Sequence, residues 1–193
     1  MAALDGLLLP PEQLNSLLKT TGLAVQTSKK VMYHSQTTAN DCGGSIWTAW
    51  GPAYNGSGWV AVRHKYLNDS VASSRATIKV FQSVVSFPLP VDANAFFRKQ
   101  VAAWPTCNDR HLEARDLDEA RSPDFFWKIS EATEHDGTLT MARTQEDTDG
   151  RWACERALTV RNNVVIDVNV CGEDVADQGQ TVATALARKV PVS

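Results

Sequence analysis

Four cysteines, Cys42, Cys107, Cys154 and Cys171, are the residues with the most specific chemistry in this chain. Their number is even and none is spaced as CxxC, which argues against a zinc site or a thioredoxin-like redox centre. Such a set is typical of proteins that form disulfides in an oxidising compartment. The sequence therefore predicts two disulfides and a location outside the reducing cytoplasm.

The pairing follows from a predicted β-hairpin near the end of the chain. Its arms are Arg151–Val160 and Val164–Val170, and Asn162-Asn163 forms the loop between them. Asparagine tolerates the positive φ that a two-residue hairpin loop requires. Counting outward from this loop places Cys154 directly opposite Cys171 in a non-hydrogen-bonded pair, where side chains lie closest. We therefore predict a Cys154–Cys171 disulfide.

The second disulfide then joins Cys42 to Cys107. Cys42 lies in the polar loop Ser35–Ser45, and Cys107 follows a helix predicted at Ala93–Trp104. Asp92 is a suitable N-cap for this helix, because its side chain can accept a hydrogen bond from the first turn. The bridge would tie a loop that cannot bury itself to the end of the helix.

Three polar side chains of the hairpin could form a binding surface. Strand alternation places Arg156, Asp167 and Asn169 on the disulfide side, and Arg156 within reach of an ion pair with Asp167. Two interpretations are open: a solvated cross-strand pair worth less than about 1 kcal/mol, or the polar wall of a binding cleft. Arg63 and Tyr66, on another predicted strand, are polar or aromatic and could line the same cleft. The candidate ligand-binding residues are Arg63, Tyr66, Arg156, Asp167 and Asn169.

Residue spacing argues against other kinds of site. The four histidines are scattered without the spacing of metal ligands, and no glycine-rich phosphate loop is present. We interpret Asp147–Gly150 as a turn, because Leu158 stands where a calcium loop needs its bidentate glutamate. We therefore predict no metal and no cofactor.

Composition excludes further classes of function. The chain has 193 residues with 43% hydrophobic residues, enough for one substantial core, and its net charge of −3 gives no field that would attract a nucleic acid. The longest apolar stretches are too short to cross a membrane and are broken by proline. Met1–Gly6 lacks the basic start and apolar core of a signal peptide. We expect the chain to be an excised part of a longer extracytoplasmic protein.

The hydrophobic pattern predicts an α+β fold, with helices packed on a mainly antiparallel sheet. The stretch Ala76–Phe87 is the longest strand signal and is apolar on both faces after Val80, as expected of a central strand. Gly179 lies on the buried face of the last helix, where it would permit a close approach to the sheet. The other predicted elements are a helix from Pro10 to Gly22, strands at Val31–His34 and Trp59–Tyr66, a meander through Phe125–Ile129 and Leu139–Met141 with a turn at His135–Gly137, a turn at Glu146–Gly150, and a last helix from Asp174 to Lys189.

Several stretches together resemble one known family. They are WACERALTVRNNVVIDVNVC with the downstream ALARKV, the earlier SGWVAVR, the segments VVSFP and DANAFFRKQVAAWPTC, and the opening LDGLLLPPEQLN. These stretches resemble the extracellular sensor domains of the PknH-like mycobacterial receptor Ser/Thr kinases and of related lipoproteins. The resemblance covers nearly the whole chain, and the hairpin with its two cysteines is its most specific part.

The resemblance implies one sensor-like domain over residues 1–193, held outside the cell by an upstream transmembrane helix or lipid. It also implies two disulfides, a twisted antiparallel sheet with helices, and a large cleft that binds an unidentified signal. The kinase signatures are missing from this sequence, since it has no HRD, no DFG and no glycine-rich loop with its lysine. We therefore expect no catalysis by this domain itself, and the resemblance supplies no ligand contacts that can be carried over.

Three functions are compared. The first is a ligand-binding sensor that changes the activity of an attached kinase, with an unidentified small molecule or cell-envelope component as its partner and the membrane reached only through a tether. The second is a stand-alone cell-envelope lipoprotein of the same fold. The third is an envelope hydrolase, which would need a nucleophile and its base to converge from distant parts of the chain.

Overall fold

The computed structural model describes residues 2–34, 41–70, 76–114, 125–146 and 151–191. Its helices are α1 (Ala2–Asp5), α2 (Pro11–Leu18), α3 (Gly43–Ile46), α4 (Gly51–Tyr54), α5 (Pro90–Ala103), a 3-10 turn (Trp104–Cys107) and α6 (Gln178–Ala187). Its strands are β1 (Ala24–Lys29), β2 (Ala61–Asn68), β3 (Ile78–Ser86), β4 (His111–Ala114), β5 (Phe125–Ile129), β6 (Thr133–His135), β7 (Thr138–Gln145), β8 (Trp152–Arg161) and β9 (Val164–Glu173).

The nine strands form one antiparallel sheet. Their order is β1-β2-β3-β9-β8-β7-β5-β4, and β6 pairs with β7 at the side of this path. The predicted α+β fold is therefore confirmed, and β3, β9 and β8 are central strands that are buried along most of their length. Among the described residues, no helix is long and apolar enough to cross a membrane.

Both faces of the sheet are covered. One face packs against α2 and α6 through a core that includes Leu14, Val168 and Leu186, and we call it the helix face. The other face packs against α5 and against Cys42–Tyr54, which contains α3 and α4. We call Cys42–Tyr54 the cover segment and the sheet surface beneath it the cover face.

The predicted hairpin register is confirmed along its whole length. Arg161 pairs with Val164 across the loop, and Asn162 takes the positive φ of 54°. Cys154 pairs with Cys171 at a Cα separation of 4.0 Å, and the two residues form the predicted disulfide. The second predicted disulfide, Cys42–Cys107, is also present and has a Cα separation of 5.9 Å. It anchors the start of the cover segment to the 3-10 turn that follows α5.

The first predicted strand was placed wrongly. The structure has β1 at Ala24–Lys29, whereas Val31–His34 contributes only an isolated bridge between Tyr33 and Trp50. All six residues of β1 are exposed, so this edge strand carries no alternation of apolar and polar side chains. A strand held only by its backbone pairing to β2 has no hydrophobic signature in the sequence.

Two predicted helix starts were also wrong. Helix α5 begins at Pro90 with Leu89 as N-cap, so Asp92 lies within the first turn and does not cap the helix. Proline at the first helical position supplies a preset φ, which explains the earlier start. Helix α6 begins at Gln178 and not at the predicted Asp174, because Asp174 has a left-handed φ of 56° that a helix excludes.

The predicted turn at Glu146–Gly150 cannot be compared beyond Glu146, because Asp147–Gly150 lies outside the described residues.

Gly179 provides the close approach that its position predicts. A Cβ atom on this residue would lie 2.7 Å from the backbone oxygen of Glu155 on β8. We expect Gly179→Ala to lower the free energy of unfolding by about 1–3 kcal/mol, because α6 must move away from the sheet. Urea unfolding measures this change, with Thr184→Ala on the exposed side of α6 as the control. Equal stability of the two variants would contradict the predicted contact.

Candidate functional site

The predicted ion pair is formed and lies on the cover face. Arg156 Nη1 donates hydrogen bonds to Asp167 Oδ1 and to the carbonyl oxygen of Val168, the latter at 3.0 Å. Each side chain of the pair is only 1% exposed. The interpretation as a solvated pair is therefore wrong, because β9 is a central strand and the cover segment lies over this face.

The ion pair holds the cover segment to the sheet. Arg156 Nη2 donates to the carbonyl oxygens of Gly44 and Trp47, each at 3.1 Å. Asp167 Oδ2 accepts the Ala49 N–H at 2.8 Å and the Tyr54 hydroxyl at 2.9 Å. Short helices of four residues could not fix the cover segment by themselves, so these bonds and the Cys42–Cys107 disulfide position it.

Aromatic rings enclose the ion pair. The Arg156 guanidinium carbon lies 5.2 Å from the centre of the Trp104 ring, and Tyr54 stacks on Phe96 at 4.1 Å between centroids. Burial raises the pKa of Tyr54 well above its ordinary value, and the charge of Asp167 adds a smaller increase. The space around these residues leaves no room for a water molecule. The pair is therefore dry and closed in this state.

A second buried arginine lies beside the pair on β7. Arg143 is 4% exposed, and its guanidinium carbon lies 4.9 Å from the centre of the Trp127 ring. Its Nη1 donates one long hydrogen bond of 3.4 Å to Asn169 Oδ1, while Asn169 Nδ2 donates to Cys171 Sγ at 3.2 Å. Within the described part of the chain no carboxylate pairs with Arg143. Burial, and then the nearby Arg156 charge, lowers the Arg143 pKa to about 9.

Unsatisfied polar atoms are concentrated on this face. In the described residues, five buried side-chain nitrogen or oxygen atoms lack a hydrogen-bond partner, and strand register or contact places each of them on the cover side of the sheet. They are Trp47 Nε1, His64 Nε2, Ser83 Oγ, Arg143 Nε and Arg156 Nε. Native interiors rarely leave such atoms unpaired without a reason, so this concentration identifies the cover face as the candidate site.

The register places His64, Ser83 and Asp167 in one row across β2, β3 and β9. A hydrolytic triad needs the histidine between the serine and the carboxylate, hydrogen-bonded to both. Here Ser83 is the middle residue, is 0% exposed, and has no hydrogen bond to His64. Burial and the neighbouring Lys29 lower the pKa of His64. This row is therefore not a catalytic triad and does not support the hydrolase hypothesis.

The structure brings together three of the five candidate residues. Arg156, Asp167 and Asn169 lie side by side, as strand alternation predicts. Tyr66 lies on the same face but stacks on Phe81, with 4.5 Å between ring centroids. Arg63 lies on the helix face, where its Nε donates to Asp5 Oδ1 at 2.6 Å. Arg63 therefore does not line the same surface as the other four.

Comparisons with known proteins decide the family. The family model described as the PknH-like extracellular domain matches residues 1–189. The chain belongs to this family. The Ser/Thr protein kinases PknH of Mycobacterium bovis and Mycobacterium tuberculosis are each 29% identical to it over 189 residues, which is 97% of this chain. The aligned region is 30% and 29% of these relatives' lengths, so the chain spans less than a third of either kinase.

A solved relative supports the same assignment. The crystal structure of the extracellular domain of PknH from Mycobacterium tuberculosis superposes with a TM-score of 0.89 at 27% sequence identity, covering 97% of this chain and 94% of that one. The resemblance seen in the sequence is therefore confirmed. The chain is an extracytoplasmic domain of the PknH-like family, with the antiparallel sheet, helices and two disulfides that the resemblance implies.

Sequence reasoning missed three residues of the candidate site in this PknH-like domain. Arg143 lies in a strand where Leu139, Met141 and Gln145 are also buried, so continued alternation would have placed it inward. Tyr54 and Trp47 reach the site from the cover segment, more than a hundred residues from Asp167 and Arg156 in sequence. No local pattern predicts that contact.

Cavities of the described residues open at other places. One of about 450 Å³ is apolar and lies beside α1 and the start of β2, and one of about 580 Å³ lies between the hairpin and α6. Neither is lined by any of the five candidate residues. These two cavities of the described residues therefore do not open onto the cover face.

Glu155 is a buried carboxyl on the helix face. Its Oε2 accepts the backbone N–H groups of Gly179 at 2.6 Å and Gln180 at 3.2 Å. Burial nevertheless raises the pKa of Glu155 to about 7. Because the folded pKa lies above the unfolded one, this carboxyl favours folding fully below about pH 4.5, and the contribution is lost as the pH rises through 7.

We expect Glu155→Gln to remove this pH dependence. Between pH 4.5 and 7.5 the wild type should lose about 1–2 kcal/mol of stability relative to the variant, after allowance for solvent screening. The lowered pKa of His64 makes a contribution of the opposite sign, and this contribution is common to both proteins. The difference in urea unfolding between the two proteins is therefore the quantity to measure. A pH-independent difference would contradict the assignment.

Proposed function

We propose that this domain is the extracytoplasmic sensor of a transmembrane Ser/Thr kinase and that its ligand binds on the cover face. The observation that carries the proposal is the match of almost the whole chain to PknH-like extracellular domains, in sequence and in fold. The tether, the kinase and the signal belong to this proposal. We propose a small molecule or a cell-envelope component as the partner.

The cover face suits a site that opens and closes. Four hydrogen bonds join the cover segment to the buried ion pair, one disulfide joins it to the 3-10 turn after α5, and two backbone hydrogen bonds join it to Tyr33. Its apolar residues also pack in the core, but the described polar atoms beneath it are not all satisfied. A ligand that bonded to the unsatisfied atoms would favour the open arrangement over the closed one. Such differential affinity is what a sensor requires, because a ligand shifts an equilibrium only by binding one state more tightly.

A thermal-shift screen against cell-envelope fragments and small metabolites tests this proposal. A specific ligand should raise the melting temperature in a concentration-dependent way. The increase should disappear in Asn169→Leu, which alters the cover face, and persist in Lys65→Gln, which changes the opposite face of β2. A ligand whose effect survives Asn169→Leu but not Lys65→Gln would place the site elsewhere and refute the proposal.

The gene sequence upstream of this domain distinguishes the two membrane-bound alternatives. We expect a kinase domain followed by one apolar span of about 20 residues. A signal peptide that ends in a lipidated cysteine would instead indicate the stand-alone lipoprotein. This comparison is independent of the ligand screen, because it concerns what the domain is attached to.

A further inference from the structure

Arg143 introduces a positive charge that nothing described near it neutralises. Among the described residues, the buried charged groups of the cover face are Arg143, Arg156 and Asp167, and the carboxylate of Asp167 is already bonded to Arg156, Ala49 and Tyr54. Arg143 keeps its proton at neutral pH even with its pKa lowered to about 9. Buried charges are normally paired because their desolvation is costly. The described part of the closed cover face therefore carries an excess cation.

A purely structural role does not account for this residue. Its only described hydrogen bond is the long one to Asn169, and its Nε lacks a partner. On the helix face, by contrast, two buried polar side chains have hydrogen-bond partners. Gln82 exchanges two hydrogen bonds with the backbone of Leu9, and Glu155 accepts hydrogen bonds from two backbone N–H groups. The fold thus satisfies these buried polar side chains of the helix face but leaves Arg143 of the cover face without a full set of hydrogen bonds.

Three unsatisfied donor atoms on the cover face indicate the chemistry of the missing partner. Arg143 Nε, Arg156 Nε and Trp47 Nε1 are all hydrogen-bond donors without an acceptor. Trp47 reaches Arg156 through its carbonyl oxygen, and the charges of the two arginines are close enough to influence one another. A group with only acceptor atoms and a negative charge would satisfy these donors and neutralise the excess cation.

We infer that the ligand of this domain carries an anionic group, a carboxylate, phosphate or sulfate, which binds to Arg143 under the cover segment. The inference rests on the proposed function, because it names the chemistry of the ligand that the cover face receives. Trp127 supports the guanidinium from one side by a cation–π contact, with 4.9 Å between the guanidinium carbon and the ring centre. The anion compensates Arg143, and Asp167 continues to compensate Arg156.

The test uses inorganic phosphate, sulfate and acetate as probes at constant ionic strength, with chloride as the reference anion. The NMR signal of the Arg143 Nε–H group is followed in the wild type and identified by its absence from Arg143→Met. We expect a saturable shift of this signal with at least one of the three anions. A shift that does not saturate, or that chloride reproduces, would overturn the inference.

Stability gives a second, independent readout. If Arg143 is kept for binding, Arg143→Met removes an uncompensated buried charge, and its melting temperature should rise by about 3 °C. The stabilisation by the anion should be lost in this variant and retained in Arg98→Gln, which changes an exposed arginine of α5. A lowered melting temperature of Arg143→Met together with an unchanged anion response would show a structural role and refute the inference.

The two proposals can fail separately. A neutral fragment from the screen that stabilises the wild type and Arg143→Met equally, but not Asn169→Leu, would retain the sensor function and overturn the anionic chemistry. A saturable anion response at Arg143 that Asn169→Leu leaves intact would retain the anion site and count against the proposed cover-face sensor mechanism.

Discussion

Replacement of Asp167 by asparagine is expected to lower the free energy of unfolding by about 3–5 kcal/mol. The carboxylate compensates Arg156 and accepts hydrogen bonds from Ala49 and Tyr54, all in a space from which water is excluded. The variant keeps the size of the side chain but leaves the Arg156 charge buried and unpaired. Urea unfolding of the wild type and the variant measures the effect.

Two further variants make this prediction specific to the ion pair. Asp136→Asn changes a side chain that is 89% exposed, and it should alter stability by less than about 0.5 kcal/mol. Arg156→Met combined with Asp167→Asn should cost about 1–3 kcal/mol less than the sum of the two single changes, because no unpaired charge remains. If Asp167→Asn resembled Asp136→Asn, the buried pair would not hold the cover segment.

Removal of the Cys42–Cys107 disulfide should cost about 4 kcal/mol, the value expected for a loop of this length. The bridge joins two cysteines that are 65 residues apart in sequence, and it links the cover segment covalently to the 3-10 turn after α5. In Cys42→Ala/Cys107→Ala, amide hydrogens of the cover segment should exchange faster relative to those of β8 and β9. The reason is that only non-covalent contacts then hold the start of the segment, which are its hydrogen bonds to the ion pair and the core packing of Ile46 and Ala49.

The hairpin disulfide provides the matched control. Cys154→Ala/Cys171→Ala opens a bridge with a separation of 17 residues, for which the expected cost is about 3 kcal/mol. The backbone ladder of β8 and β9 still holds these strands together, so the cover segment should keep its exchange rates relative to the sheet. If amide exchange accelerated equally in the cover segment and in β8 and β9 of both double variants, the Cys42–Cys107 bridge would have no local role.

Local geometry was predictable where the chain folds back on its neighbour. The loop Asn162-Asn163 sets the register of the hairpin, and the register sets the disulfide, since each step spans only a few residues. The turn before β7 is similar, because Asp136 and Gly137 both take positive φ values. The close packing of Gly179 was predictable for the same reason, although its partner Glu155 was not.

Burial of the candidate site was not predictable from the hairpin alone. The sequence predicted that Arg156, Asp167 and Asn169 face solvent or a cleft, because polar side chains are costly to bury unless partners exist. Outside the hairpin, the partners of Arg156 and Asp167 are three backbone groups and the Tyr54 hydroxyl of the cover segment, which lie 109 to 118 residues away in sequence. One clue was present: Ala76–Phe87 is apolar on both faces after Val80, and its neighbours in a sheet must then be covered on both faces too.

Hydrogen exchange with a fragment selected by the thermal-shift screen tests the central claim most directly, since it shows where the ligand acts. The account predicts altered protection of the cover segment, including the Ala49 amide that now bonds to Asp167, with little change in α2 and α6. Protection confined to the apolar cavity beside Leu4, Phe87 and Val190, with the cover segment unchanged, would contradict it.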